Sequence, residues 1–263
     1  MLALIRGAGD MATGIALRLW RSGIRVVMLE TAHPTAIRRT VAFSEAVFTG
    51  TQTVENVTSV LCKTVEEAQK TLKNDQIPVL IDPNGETILR WNPDVLVDAI
   101  LAKRNLCTSM DMAPAVIGVG PGFTAGQDCH AVVETMRGHT LGRVIYDGSA
   151  LPNTNIPGLI GGFAGERVLR APKDGVFRPI RAIGDLVQEG ETVAEVDGEP
   201  VKCTISGVLR GILPEGTIVK KGMKSGDVDP RGEQTNCTTA SDKALAVGGG
   251  VLEAALHLAK ALP

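Results

Sequence analysis

Residues 175–197 and 207–229 are one segment written twice, at a gap-free offset of thirty-two. Gly175, Val176, Arg178, Ile180, Gly184, Val187, Gly190, Val196 and Asp197 reappear as Gly207, Val208, Arg210, Ile212, Gly216, Val219, Gly222, Val228 and Asp229. Self-similarity of this kind dictates packing. Two short β-rich copies are too few for a solenoid, so each must cover the apolar face of the other. The expected product is a compact all-β module with pseudo-twofold symmetry over residues 167–230.

The stretch Gly184-Asp185-Leu186-Val187-Gln188-Glu189-Gly190 resembles the biotinyl/lipoyl-type barrel sandwich, whose two symmetric halves are joined by a hairpin. In that resemblance the carrier lysine belongs at the hairpin tip. Alignment of Val196–Val201 to the tip puts Pro200 there, and Lys202 falls two residues late. The resemblance therefore implies the fold without covalent biotin or lipoate.

The front of the chain reads differently. Leu2–Ile5 is a short apolar run ending in Arg6-Gly7-Ala8-Gly9-Asp10-Met11-Ala12-Thr13-Gly14. Helical periodicity follows through Ile15 and Leu19 to a stop at Ser22-Gly23, and Arg25–Glu30 is a second buried strand. This is a βαβ unit with Gly7, Gly9 and Gly14 in a near-fingerprint, Ala12 standing at the third glycine position. Gly7 permits a tight turn, and Gly9 lets a phosphate approach the backbone. The helix start, including Thr13, supplies donors, and Glu30 could accept from a ribose. Asp10 is an odd guest, since a carboxylate there repels a pyrophosphate. The alternative is that these glycines serve helix–strand packing alone.

Further strands are expected at 58–62, 78–81, 94–97 and 115–119, with a helix at 64–72. Alternation of this kind predicts a Rossmann-like, mostly parallel sheet whose carboxyl edge gathers ligand-binding loops. Asp82, Asp98 and Gly120 would face that edge. Two loops there carry anion chemistry. Ala102-Lys103-Arg104-Asn105 offers two cations, and Gly118–Gly126, with Gly120, Gly122 and Thr124, could turn several N–H groups onto one anion. A solvated basic turn and a flexible glycine loop are the plainer alternatives.

Asp128, His130 and Glu134 share one face of a strand and are candidate metal ligands; the alternative, from the half-buried run Ala131-Val132-Val133, is that His130 is a structural histidine. The order of residues contains no serine-nucleophile elbow or triad. Five scattered cysteines without a C-x-x-C pair indicate reduced thiols and a cytoplasmic setting. Cys129 has the best setting for sulfur or selenium transfer, yet its carboxylate neighbour Asp128 blunts the thiol. A net charge of -2 and only 3% aromatic residues exclude general affinity for nucleic acid or anionic membranes. Met1–Ile5 is too short for a signal core or a membrane span.

The expected organisation is a ligand-binding domain at 1–147, a glycine- and proline-rich linker at 148–166, and the duplicated module at 167–230. A polar tail at 231–263 follows, in which Gly248-Gly249-Gly250 opens a helix from Val251 to Leu262 that docks on the front domain.

Four blocks carry a family resemblance over essentially the whole chain. They are Arg6–Gly14, Asp98–Asn105, Gly120–Gly126, and Val168–Pro172 with Gly175. Together they closely resemble the selenium-dependent molybdenum hydroxylase accessory family, of YqeB type. The resemblance implies a maturation role on a molybdenum hydroxylase client, with a nucleotide or a phosphate-bearing molybdenum cofactor in the front domain. An NAD(P)-dependent oxidoreductase using the Gly7 loop and Glu30 is the second expectation. A structural adaptor without a small ligand is the third.

Overall fold

Leu2-Ala3-Leu4-Ile5 has no polar side chain, and the chain places it at the middle of a sheet. The computed structural model describes residues 1–154 and 156–259; Asn155 of the expected linker and Leu262 of the expected last helix lie outside them. The chain divides into two compact units. The first comprises Met1–Pro34, Ala42–Thr154 and Ala240–Pro263, and the second Thr35–Val41 and Asn155–Thr239.

In the first unit the elements run β1 (Leu2–Arg6), α1 (Asp10–Arg21), β2 (Arg25–Glu30), α2 (Ala46–Thr49), β3 (Thr51–Val54) and β4 (Val57–Cys62). They continue with α3 (Val65–Lys73), β5 (Ile77–Ile81), α4 (Ile88–Trp91), β6 (Val95–Asp98), β7 (Ala115–Val119) and β8 (Thr124–Ala125). β9 (Ala131–Val133), β10 (Val144–Ile145) and β11 (Gly148–Ser149) follow, and α5 (Asp242–Ala259) returns from the end of the chain. Nine strands form one sheet in the order β10-β9-β7-β6-β1-β2-β5-β4-β3. β1, β2, β5, β6 and β7 are almost wholly buried, which is why they read as unbroken apolar runs.

The sheet is mixed. The hairpin β3–β4 closes one side antiparallel, and β9–β10 closes the other the same way. Of the crossovers between parallel strands, only those through α1 and α3 carry a helix of more than two turns. The Rossmann-like domain expected from the sequence is therefore corrected to a mixed sheet, in which the strands from β9 to β4 are parallel and the two edge strands are not. β6 and β7 are joined by an irregular loop in which Leu101, Lys103 and Cys107 have φ of 61°, 63° and 64°, a backbone no helix can contain. Polar Thr51-Gln52-Thr53 hid the edge hairpin, because half-exposed strands lack an apolar run.

α5 packs along α1 at backbone distance. A Cβ on Gly14 would lie 2.6 Å from the Ala244 Cβ, and one on Gly248 would lie 2.7 Å from the Gly14 carbonyl oxygen. The three glycines that read as a helix opener are thus inside the helix. Gly248 and Gly250 are tolerated because the close approach needs them, against the usual helix penalty.

The second unit holds β12 (Val168–Arg170), β13 (Gly175–Pro179), β14 (Leu186–Val187), β15 (Thr192–Val196), β16 (Glu199–Lys202), β17 (Gly207–Ile212), β18 (Ile218–Val219) and β19 (Lys224–Asp229). The repeat is realised strand for strand, with β13, β14 and β15 answered by β17, β18 and β19. The short middle strands are exchanged: β14 pairs with β17 and β18 with β13. Two antiparallel sheets result, β12-β19-β17-β14 and β16-β15-β13-β18. Phe177, Val187, Val193, Leu209, Val219 and Val228 fill one core from both copies. These open four-stranded sheets correct the expected biotinyl-type barrel. The exchange of a two-residue strand joins the copies without closing one continuous ladder.

Two predictions follow from this packing. Gly250 abuts the Gly142 carbonyl, whereas a Cβ on Gly249 meets nothing within 4 Å. Gly249→Ala should raise stability in urea unfolding by about 0.5–1 kcal/mol, through helix propensity alone. Gly250→Ala should lower it by about 1–3 kcal/mol through overpacking.

The second concerns carrier chemistry. Asp197 and Gly198, with φ of 42° and 81°, make the two-residue turn of the β15–β16 hairpin. Pro200 lies opposite Glu195, and Lys202 pairs with Thr192 at the far end of β16. Intact-mass analysis after co-expression with a biotin or lipoate ligase should show no adduct; an adduct on Lys202 would reverse this expectation.

Candidate functional site

Arg6 ends the central strand, and its register partner on β6 is Asp98. Both are buried, at 4% and 2% exposure, so neither charge can be solvated alone. Arg6 NH1 lies 3.2 Å from Asp98 Oδ2 and donates to the Leu106 carbonyl at 2.9 Å. Thr108 Oγ1 donates to Asp98 Oδ2 at 2.6 Å. Asp98 Oδ1 accepts the Ile100 N–H at 3.2 Å. The pair thereby shapes the whole 99–108 loop. Arg6 and Thr108 were not among the residues singled out from the sequence. An arginine ending an otherwise apolar strand was the available signal.

Three loops meet at this edge. Gly7 has φ of 96°, and a Cβ on it would stand 3.0 Å from the Ala99 carbonyl oxygen. A Cβ on Gly122, at φ 111°, would stand 2.6 Å from the Arg104 nitrogen. The Gly7–Gly9 loop, the 99–108 loop and the 120–126 loop are therefore in backbone contact. Asp128 fastens the last two, accepting from the Thr124 N–H at 2.8 Å and from Asn105 Nδ2 at 3.2 Å. Gly120 donates its N–H to the Val133 carbonyl, and Thr135 packs where its side chain would be.

Gly9 caps α1 in extended conformation without a side-chain cap, and Thr13 N–H closes the first bond on the Gly9 carbonyl. The donors at the helix start point onto the same edge. Asp10 Oδ1 accepts the N–H of Met11 at 2.9 Å. Thr13 Oγ1 donates to the Ala8 carbonyl and accepts the Phe43 N–H, while Gly14 faces α5. Glu30 accepts the Ala8 N–H at 2.8 Å and the Thr31 N–H at 2.7 Å.

Among cations, Arg104 is exposed and has no ion-pair partner among the described residues. Lys103 is exposed by area, yet the protein atoms crowding its ammonium hold its pKa below the ordinary lysine value. Asp82 is held below the ordinary carboxylate range. Burial pushes it up, but hydrogen bonds from Thr87, Glu86 and Gly85 prevail.

The candidate metal ligands are separately engaged. His130 Nδ1 accepts the Val116 N–H at 3.0 Å, and burial lowers its pKa, as befits a neutral imidazole. Glu134 accepts the N–H groups of Met136 at 2.6 Å and Leu151 at 2.8 Å. Among the described residues no group of three such side chains could hold a metal ion. Cys129 is fully buried and its thiol is pushed up to about 11, chiefly by that burial. Cys107, by contrast, is exposed in the 99–108 loop.

No family model matches the chain. It is 52% identical over 257 residues to the uncharacterized protein YqeB of Escherichia coli (strain K12), covering 98% of this chain and 48% of that protein. The chain thus spans about half the length of this curated relative. Among solved structures, an aspartoacylase family protein of Mesorhizobium loti is 12% identical, with 86% of this chain and 84% of that one covered, at a TM-score of 0.28. A succinylglutamate desuccinylase from Silicibacter is 14% identical, with the same coverage of 86% and 84%, at 0.25. At these scores the superpositions carry neither fold nor activity to this chain.

The functions expected from the sequence were a molybdenum hydroxylase accessory protein, an NAD(P)-dependent oxidoreductase or an adaptor; the solved structures found similar are titled an aspartoacylase family protein and a succinylglutamate desuccinylase instead, and none of the expected functions is carried forward. Two parts of the nucleotide-binding fingerprint are engaged internally. Glu30 is bound to its own backbone rather than open to a ribose, and Gly14 serves the α1–α5 contact. No described helix is long and apolar enough to cross a membrane.

The buried pair yields a stability prediction. Arg6→Ala leaves Asp98 uncompensated and should cost about 3–5 kcal/mol in urea unfolding. Arg104→Ala, on the exposed side of the same loop, should stay within about 0.5 kcal/mol.

Proposed function

We propose that the first unit holds a small phosphate-bearing anion where the Gly7–Asp10, 99–108 and 120–126 loops meet. The observation that carries this reading is the double backbone contact, Gly7 on Ala99 and Gly122 on Arg104. It sets the start of α1 and the Lys103-Arg104 cations on one edge, the combination that anion sites use. Arg104, without an ion-pair partner among the described residues, supports the reading. So does Lys103, whose lowered pKa marks an ammonium that a neighbouring anion would restore. Gly9, Gly122 and Arg104 are the residues assigned to it.

The reading is one of binding. His130 is committed to the Val116 N–H and Cys129 is buried, so no nucleophile–base pair is assigned among the described residues. The link to selenium-dependent molybdenum hydroxylases forms no part of it.

Calorimetry with inorganic pyrophosphate tests the proposal. Saturable binding is expected, weakened at least about tenfold in Gly9→Val, whose branched side chain blocks the approach to the backbone. Arg104→Lys should lose nearly as much as Arg104→Ala, because an ammonium lacks the planar fork. Folded variants that bind as the native chain does would remove the site, as would a native chain that does not bind.

A further inference from the structure

The two copies of the repeat differ in one respect that the sequence identity conceals. In the second copy, a groove runs between β17 and the turn at Ile183-Gly184, and the chain's own segment 231–237 fills it. Arg231 Nε and NH2 donate to Asp229 at 2.9 and 2.6 Å. Three residues on, Gln234 Nε2 donates to the Gly184 carbonyl at 2.9 Å. Cys237 Sγ reaches the Leu209 carbonyl at 3.9 Å.

The groove of the first copy has the same frame. At the offset of thirty-two, Asp229, Gly184, Leu209, Arg210 and Asp227 become Asp197, Gly216, Phe177, Arg178 and Glu195. The backbone bonds that build it are preserved. Gly184 N–H on the Leu209 carbonyl at 2.9 Å is matched by Gly216 N–H on the Phe177 carbonyl at 2.9 Å. Leu209 N–H on the Asp185 carbonyl at 2.8 Å is matched by Phe177 N–H on the Thr217 carbonyl at 2.9 Å. The ion pair is preserved too, as Arg178 on Glu195 at 3.2 Å for Arg210 on Asp227.

The filling is what is missing. After the first copy the chain turns back at Asp197-Gly198 into β16 and does not cross the groove. A cleft of about 500 Å³ remains, lined by Phe177, Arg178, Glu195, Asp197, Glu215 and Gly216. Its three carboxylates face one guanidinium. The Asp197 carboxylate accepts the Val176 N–H at 3.3 Å and is in no ion pair among the described residues, Lys173 Nζ donating at 3.1 Å to the Asp197 carbonyl oxygen instead, whereas the Asp229 carboxylate has two arginines.

We propose that this cleft receives an extended peptide segment of a partner protein, with an arginine on Asp197 and an amide side chain three residues later on the Gly216 carbonyl. The occupied copy specifies the occupant, because the same chain already presents that chemistry to the same frame. The acidic lining favours it, and Val176, 42% exposed, offers apolar contact to the peptide stem. The site is independent of the anion reading of the first unit.

A fluorescent peptide copying residues 229–238, with Cys237→Ser, tests this by anisotropy against the full chain. Saturable one-to-one binding is expected at low salt, weakening as salt screens the charges. Arg231→Ala in the peptide should weaken it at least about tenfold, and Asp197→Asn in the protein by a similar factor. Glu215 is 73% exposed, so Glu215→Lys should keep the fold, checked by its melting curve, and also weaken binding about tenfold while leaving pyrophosphate binding unchanged. No saturable binding to the native chain would overturn the proposal. Binding that survives both protein variants would do the same, since the peptide would then be displacing segment 231–237 from its own groove.

Discussion

A guanidinium in the middle of an apolar sheet must be answered where it lies, and Asp98 answers Arg6 from the neighbouring strand. Neither group reaches water, and further bonds to Leu106, Thr108 and the Ile100 N–H sustain the pair. Those bonds bend the chain after β6 into a loop with three left-handed non-glycine residues. Such a backbone costs about 1–3 kcal/mol per residue and persists only where its surroundings over-determine it. Here the surroundings are the buried pair on one side and the glycines of two other loops on the other. The edge on which a ligand is proposed to rest is thus organised from inside the sheet.

The strands of the first unit were legible wherever both faces are covered, because burial on two sides removes most polar residues. β2 and β7 lie where the apolar runs put them. The mixed character of the sheet was not legible. Edge strands such as β3 are half-exposed, and nothing in a polar stretch says which neighbour it will pair with. The triple glycine of α5 misled for a related reason: glycine marks close backbone approach as often as it marks a break, and only the partner on α1 decides. The return of residues 35–41 to the second unit left no trace in local pattern, since it rests on bonds such as Arg39 Nε to the Ile212 carbonyl.

For the candidate site, the sequence named loops that the structure brings together and gave an incomplete account of their side chains. Gly7, Gly122 and Arg104 do come together, through the adjacency of β1, β6 and β7. Several residues that looked addressed to a ligand are instead internal ties. Glu30 holds Ala8, Asp128 holds Thr124, and Glu134 holds Leu151. A carboxylate that accepts backbone N–H groups and one that awaits a substrate are identical in sequence. Only the geometry of the loop around them tells the two apart.

The exchange of β14 and β18 between copies bears on how the chain acquires its structure during synthesis. Each copy lends its middle strand to the other, so the first copy cannot complete its sheet until Ile218-Val219 has left the ribosome. Duplicated halves usually suggest stepwise folding, one half after the other. Here the pairings span long stretches of chain, and contacts of that separation form late and slowly. The nascent first copy must therefore wait with unpaired strand edges, the condition in which chains associate wrongly. A duplication that makes the finished module symmetric has made its assembly all-or-none.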